Sequence, residues 1–143
     1  MLKKAFVNGE EIPRSAIEHE FDRLVRLYAE SGVPGDEMKR NVERLLSQAQ
    51  EQAIGAKLLL MRANQLGITP DELVERTCAG TPDPSDAEME SFYQANRKTF
   101  GDAQFVQVQT KIREFLRHAA RGKVLAAFIA ELREAAKVEY REG

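Results

Sequence analysis

Apolar positions recur at helical spacing along most of this chain and change to strand-like alternation only near its two ends. Ala5 to Val7 is a short apolar run, and Asn8-Gly9 after it is a turn signal, so the pair predicts a small strand and a turn. Pro13 then opens a helix, because its fixed φ and missing N–H are harmless in a first turn. Ile17, Phe21, Leu24, Val25 and Tyr28 fall on one face of that helix. Ser31-Gly32 stops it, and Pro34-Gly35 makes the connection. From Asp36 to Leu66 the pattern is helical and free of proline, through Met38, Val42, Leu45, Leu46 and Ala49, then Ala53, Ile54, Leu58, Leu59 and Met61. Gly55 in its middle costs about 1 kcal/mol relative to alanine and permits a bend there. Gly67 closes the helix as the glycine just past its last turn.

Thr69-Pro70-Asp71-Glu72 is a capping box with proline at the first helical position, and it predicts a short helix to about Cys78. Gly80 to Pro84 breaks that helix. Ser85 and Glu88 form a second capping box, which starts a helix through Met89, Phe92 and Tyr93 towards Phe100. The last long pattern runs from Ala103 to Ala136 and carries two stripes. Phe105, Val108, Ile112, Leu116 and Ala119 make the first; Leu125, Phe128, Ile129, Leu132 and Ala136 make the second, rotated by roughly half a turn at about 100° per residue. Either the helix breaks near Gly122, or one helix packs against different partners along its two halves. Val138-Glu139-Tyr140 alternates like a strand and is predicted to pair with Ala5 to Val7. The expectation is an all-α domain with a minimal two-stranded sheet joining the N- and C-terminal segments, one domain over residues 1–143.

Composition narrows the function classes. The chain has 143 residues, enough to bury a core without staples, and its 31% charged and 43% hydrophobic residues suit a highly helical protein. A net charge of −2 supplies no global basic field for nucleic acid or acidic membrane. The single cysteine, Cys78, excludes an internal disulfide and offers no metal-cluster spacing. No run of about 18 apolar residues is present to span a membrane, and the opening MLKKAFVNGEEI lacks the apolar stretch of a secretion signal, which keeps a cytoplasmic location open as an expectation.

No catalytic constellation assembles from the residues. His19-Glu20 begins no HExxH motif, since Arg23 stands at the second histidine position. Carboxylates at helical spacing, such as Glu18 with Asp22 and Glu72 with Glu75, are explained by caps and solvated faces. Arg113, Arg117 and Arg121 make a basic stripe, but Glu114 interrupts it and no aromatic is interleaved, so a solvated helix face is the better explanation. Neither a cofactor nor a metal is expected.

Four segments in order carry a family resemblance. VNGEEI at Val7 to Ile12, AIGAKLLLMRANQLGITPDEL at Ala53 to Leu73, SDAEMESFYQANRKTF at Ser85 to Phe100, and KIREFLRHAARGKVLAAFIAELREAAKVEY at Lys111 to Tyr140 are similar to the chaperone core of SurA/PrsA-type proteins of the parvulin class. What the resemblance implies is a helical chaperone module whose terminal segments assemble together, working in the periplasm or at the cell envelope. It also implies a crevice for unfolded, often aromatic-rich clients. The family normally carries a mixed α/β prolyl-isomerase domain with paired histidines at the junction near residues 100–104. Here only Gly101 to Gln104 separate the two helical patterns, and His19 and His118 lie far apart.

The function expected from this is ATP-independent binding of unfolded or partly folded polypeptides, envelope or outer-membrane proteins among them, without prolyl isomerase activity. Candidate peptide-binding residues are Leu27, Tyr28, Met38, Met61, Met89, Phe92, Tyr93 and Phe105, for each of which core burial is the competing explanation. The alternative is a helical dimerisation or assembly domain that pairs with itself or with one dedicated protein partner.

Overall fold

The computed structural model describes residues 2–142, and the chain divides into two compact units, residues 2–70 with 129–142 and residues 71–128. The first unit is built on a sheet of three antiparallel strands in the order β2-β1-β3. β1 (Lys4–Val7) lies in the centre, β2 (Glu10–Glu11) follows it, and β3 (Val138–Arg141) comes from the other end of the chain. The predicted pairing of the two terminal segments is present, with Ala5 opposite Tyr140 and Val7 opposite Val138. The added strand is β2, with Val7 opposite Glu10. Asn8 at φ 51° and Gly9 at φ 85° make a two-residue turn of the kind whose twist matches a hairpin, so the turn carries a second strand as well as ending the first.

Three whole helices belong to this unit, α1 (Arg14–Glu30), α2 (Gly35–Arg40) and α3 (Val42–Leu66), together with the end of the chain's last helix from Ile129. α1 packs along α3, with Leu24 as its buried residue. The long helix expected from Asp36 is interrupted at Asn41. The Asn41 side-chain amide donates to the Glu37 carbonyl four residues back (2.7 Å), and its backbone turns to φ −113°. That local bond competes with the helical ladder, which an asparagine does more readily than the residues around it. No break occurs at Gly55, which is buried inside a continuous α3 beside Ile129. Gly67 ends α3 in the left-handed conformation at φ 71°, as expected, and the Ile68 N–H reaches back to the Ala63 carbonyl (3.0 Å).

The core of this unit gathers Ala5, Val7 and Ile12 from the hairpin with Ala53, Ile54 and Leu58 from α3. Ile129, Leu132, Ala136 and Val138 pack against it from the returning segment. Two polar ties hold the termini. Gln50, buried in α3, donates to the Lys3 carbonyl (2.6 Å). The Tyr140 hydroxyl donates to Glu51 (2.5 Å), and Arg133 donates to both of them (2.7 Å each). Burial first, and then the bond to Glu51, push the Tyr140 phenol above its ordinary 10, while Arg133 pulls the other way.

The second unit contains α4 (Pro70–Cys78), apart from its first residue, then α5 (Asp86–Ala95), α6 (Arg97–Phe100) and the first part of α7 (Phe105–Ala135). The Ser85 capping box is formed: the Glu88 N–H donates to Ser85 Oγ (3.1 Å) and the Ser85 N–H to Glu88 Oε1 (3.5 Å). The helix it starts stops at Asn96, not at Phe100. Asn96 repeats the device of Asn41, donating to the Phe92 carbonyl (2.9 Å) at φ −119°.

α7 is one continuous helix, and its two stripes serve different cores. Phe105, Val108, Ile112 and Leu116 pack with Met89 and Tyr93 in the second unit, whereas Ile129 and Leu132 pack on the core of the first. Of the two expectations for Gly122, the one with an unbroken helix and changing partners holds.

Candidate functional site

The first unit carries an open cleft of about 210 Å³. Tyr28 supplies its wall from α1 and Val33 from the connection; Glu37 and Met38 come from α2; Arg44, Leu45 and Gln48 come from α3. Asn41 lines it too, so the helix break hidden in the apolar pattern forms part of the cleft. The Tyr28 hydroxyl donates to Gln48 Oε1 (3.3 Å), which satisfies the phenol. Tyr28, Val33 and Met38 are half-buried, and Leu45 is buried. Such a lining mixes apolar surface with a flexible thioether and one charge of each sign. Its volume falls below the ~300–1,000 Å³ usual for small-molecule sites.

The second unit has an aromatic cluster. Tyr93 is at its centre, stacked on Phe100 (ring centroids 5.5 Å apart, planes at 24°) and edge-on to Phe105 (5.5 Å). The Tyr93 hydroxyl donates to the Ala103 carbonyl (2.6 Å), and the Arg97 guanidinium sits over its ring at 5.1 Å. Tyr93 thus binds both sides of the short α6–α7 junction. Phe92 lies at the margin, its ring centre 5.2 Å from that of Phe115, a large apolar residue that is nevertheless 59% exposed. Val106 on the same helix is 76% exposed.

The eight candidate residues therefore separate. Tyr28 and Met38 come together in the cleft. Met61 is half-buried against the first core, and Leu27 is exposed without lining the cleft. Met89 and Tyr93 are buried as core of the second unit, and Phe92 and Phe105 pack half-buried against them. Phe115, Val33 and Leu45 were missed by sequence reasoning. Phe115 falls just outside the apolar stripe of α7, and its exposure is what separates it from the core aromatics.

The remaining polar clusters are occupied. Arg117 pairs with Asp83 (3.6 Å) and Arg121 with Glu75 (3.0 Å), so two of the three stripe arginines face carboxylates. Cys78 is buried at the end of α4, with its sulfur 3.7 Å from the Arg121 carbonyl. Among the described residues, no group of histidine, cysteine or acidic side chains has metal-binding geometry, and no helix is long and apolar enough to cross a membrane.

Comparison with protein-family models, with curated proteins and with solved structures finds no match. The resemblance to SurA/PrsA-type chaperones accordingly rests on the four sequence segments.

Proposed function

We propose that this chain is a polypeptide-binding module that holds unfolded or partly folded proteins without ATP. The observation that carries the proposal is the open cleft at the α1–α2–α3 corner, where Tyr28, Val33 and Met38 present apolar surface unfilled by the chain's own side chains. A thioether adapts to side chains of different shape, which suits a site that must accept many sequences. The family resemblance supports the same function and a working place in the periplasm or cell envelope. Only Gly101 to Gln104 join α6 to α7, held by Tyr93, which supports a binder without prolyl isomerase activity.

Affinity for any one client is modest, on the order of micromolar, because ordering a flexible chain offsets much of the contact energy. Light scattering from a diluted, unfolded outer-membrane-type protein tests the proposal. Suppression of aggregation near equimolar ratio supports it, and no suppression at large excess overturns it.

A second reading is favoured by exposed Phe115 beside Phe92: the second unit pairs this aromatic edge with one dedicated protein. Replacing Phe115 by serine separates the two. Client holding that survives this change, with capture of a single partner lost, would favour the second reading.

A further inference from the structure

We infer that the free edge of β3 pairs with β3 of a second copy, joining two three-stranded sheets into one antiparallel sheet of six. β3 is the last strand in the order β2-β1-β3, and among the described residues no strand meets its outer side. The direction of its backbone follows from Lys137. Its carbonyl accepts from the Asn8 N–H (2.7 Å), and its N–H donates to Asn8 Oδ1 (2.8 Å), so the polar groups of Lys137 face the β1 side. Antiparallel alternation then turns those of Glu139 and Arg141 towards β1 and leaves those of Val138 and Tyr140 pointing away from the sheet.

An antiparallel second copy centred on Tyr140 satisfies these groups. Tyr140 meets Tyr140 of the second copy as a hydrogen-bonded pair, which requires both to point outward, as they do. Glu139 then lies opposite Arg141 of the second copy, and Arg141 opposite its Glu139. These are non-hydrogen-bonded positions, where side chains approach most closely. Moving the centre to Glu139 would set Lys137 against Arg141, cation against cation; moving it to Val138 would oppose Lys137 and Glu139 but place Arg141 against Ala135, the last residue of a helix, so the Tyr140 register pairs more of the strand. Edge charges usually blunt a strand against pairing. The order Glu139-Tyr140-Arg141 does the opposite for its own reversed copy, because it is self-complementary.

Both charged side chains are available on one sheet face. Arg141 rests over the Phe6 ring (4.4 Å to its centre), and Glu139 is the cross-strand neighbour of Phe6. Glu139 takes Lys137, just before the strand (3.3 Å), and Arg141 (3.4 Å) as partners, contacts that a facing strand can share. The pairing is independent of the cleft in the same unit, which no residue of β3 lines.

The test is sedimentation equilibrium of the whole chain up to roughly 500 µM, a range that detects weak self-association. Wild type is expected to dimerise. Glu139→Arg or Arg141→Glu alone turns two attractive cross-strand pairs into two repulsive ones and weakens the dimer by about tenfold or more. Mixing these two single variants restores opposite charges at both positions and is expected to recover a heterodimer, as is the double exchange in one chain. If either single variant fails to fold by circular dichroism, the other with the double exchange decides the matter. A monomer throughout the range overturns the inference. So does a dimer that the single variants leave unchanged, or one that mixing does not rescue.

Discussion

Gly55→Ala is expected to stabilise the first unit, although glycine is buried there at the centre of the longest helix of that unit. A Cβ built at Gly55 meets Ile129 Cγ2 at 3.5 Å and Cδ1 at 3.7 Å, both ordinary van der Waals separations. The backbone around it is regular helix, with no positive φ to require glycine. Alanine gains about 1 kcal/mol over glycine in a helix interior, mainly by restricting the unfolded chain. The new methyl adds up to ~0.8 kcal/mol by covering apolar surface against Ile129. A net gain of about 1–2 kcal/mol corresponds to roughly 3–7 °C in Tm for a chain of this size. Gly55→Leu reverses the sign, because the extra atoms have to displace Ile129 and overpacking costs about 1–3 kcal/mol. Urea unfolding followed by circular dichroism measures both variants against wild type. A lower midpoint for Gly55→Ala would refute the reasoning, since it would mean that α3 bends at Gly55 or that Ile129 presses closer than it does here.

Further outcomes follow from other contacts. Ser85→Ala removes the side chain that accepts from the Glu88 N–H and is expected to cost about 1 kcal/mol in the second unit, read as a lower denaturation midpoint. Tyr140→Phe loses the bonds to Glu51 and Arg133 at a half-exposed site and is expected to cost only about 0.5–1 kcal/mol at neutral pH. The Tyr140 pKa is raised in the folded state, so its contribution is full below the unfolded value near 10 and disappears as pH rises through the folded value. Thermal scans above pH 10 should therefore show wild type losing its advantage over Tyr140→Phe; a gap that widens with pH would contradict the assignment. A proline-limited refolding reaction should run no faster in the presence of the chain, and a measurable acceleration would overturn the proposed lack of isomerase activity.

Much of this fold was legible because its signals are local and stereochemical. Ser85 with Glu88, Pro13, Pro70 and Gly67 each mark a helix end where the structure has one. The half-turn between the stripes of α7 was also real, and its cause is a single helix shared by two cores. The breaks at Asn41 and Asn96 were hidden because the apolar periodicity runs through both. In each case the deciding interaction is one side-chain amide bonding the carbonyl four residues back. The asparagine within each helical pattern is the sequence signal that marks these breaks. The cleft was less legible still. Tyr28 and Met38 belong to it while Met89 and Tyr93, chosen on the same grounds, are core, and one-dimensional spacing does not separate a residue facing a cleft from one facing a neighbour.

The most direct test of polypeptide binding is an anisotropy titration of a labelled, permanently unfolded protein with wild type and with Met38→Asp. Met38 is half-buried at the cleft, so the substitution places a carboxylate among Tyr28, Val33 and Leu45 with little effect on the core. The account predicts saturable binding to wild type on the order of micromolar and at least about tenfold weaker binding to the variant. No binding by wild type would contradict a holding function, and equal binding by the two proteins would contradict the cleft as its site.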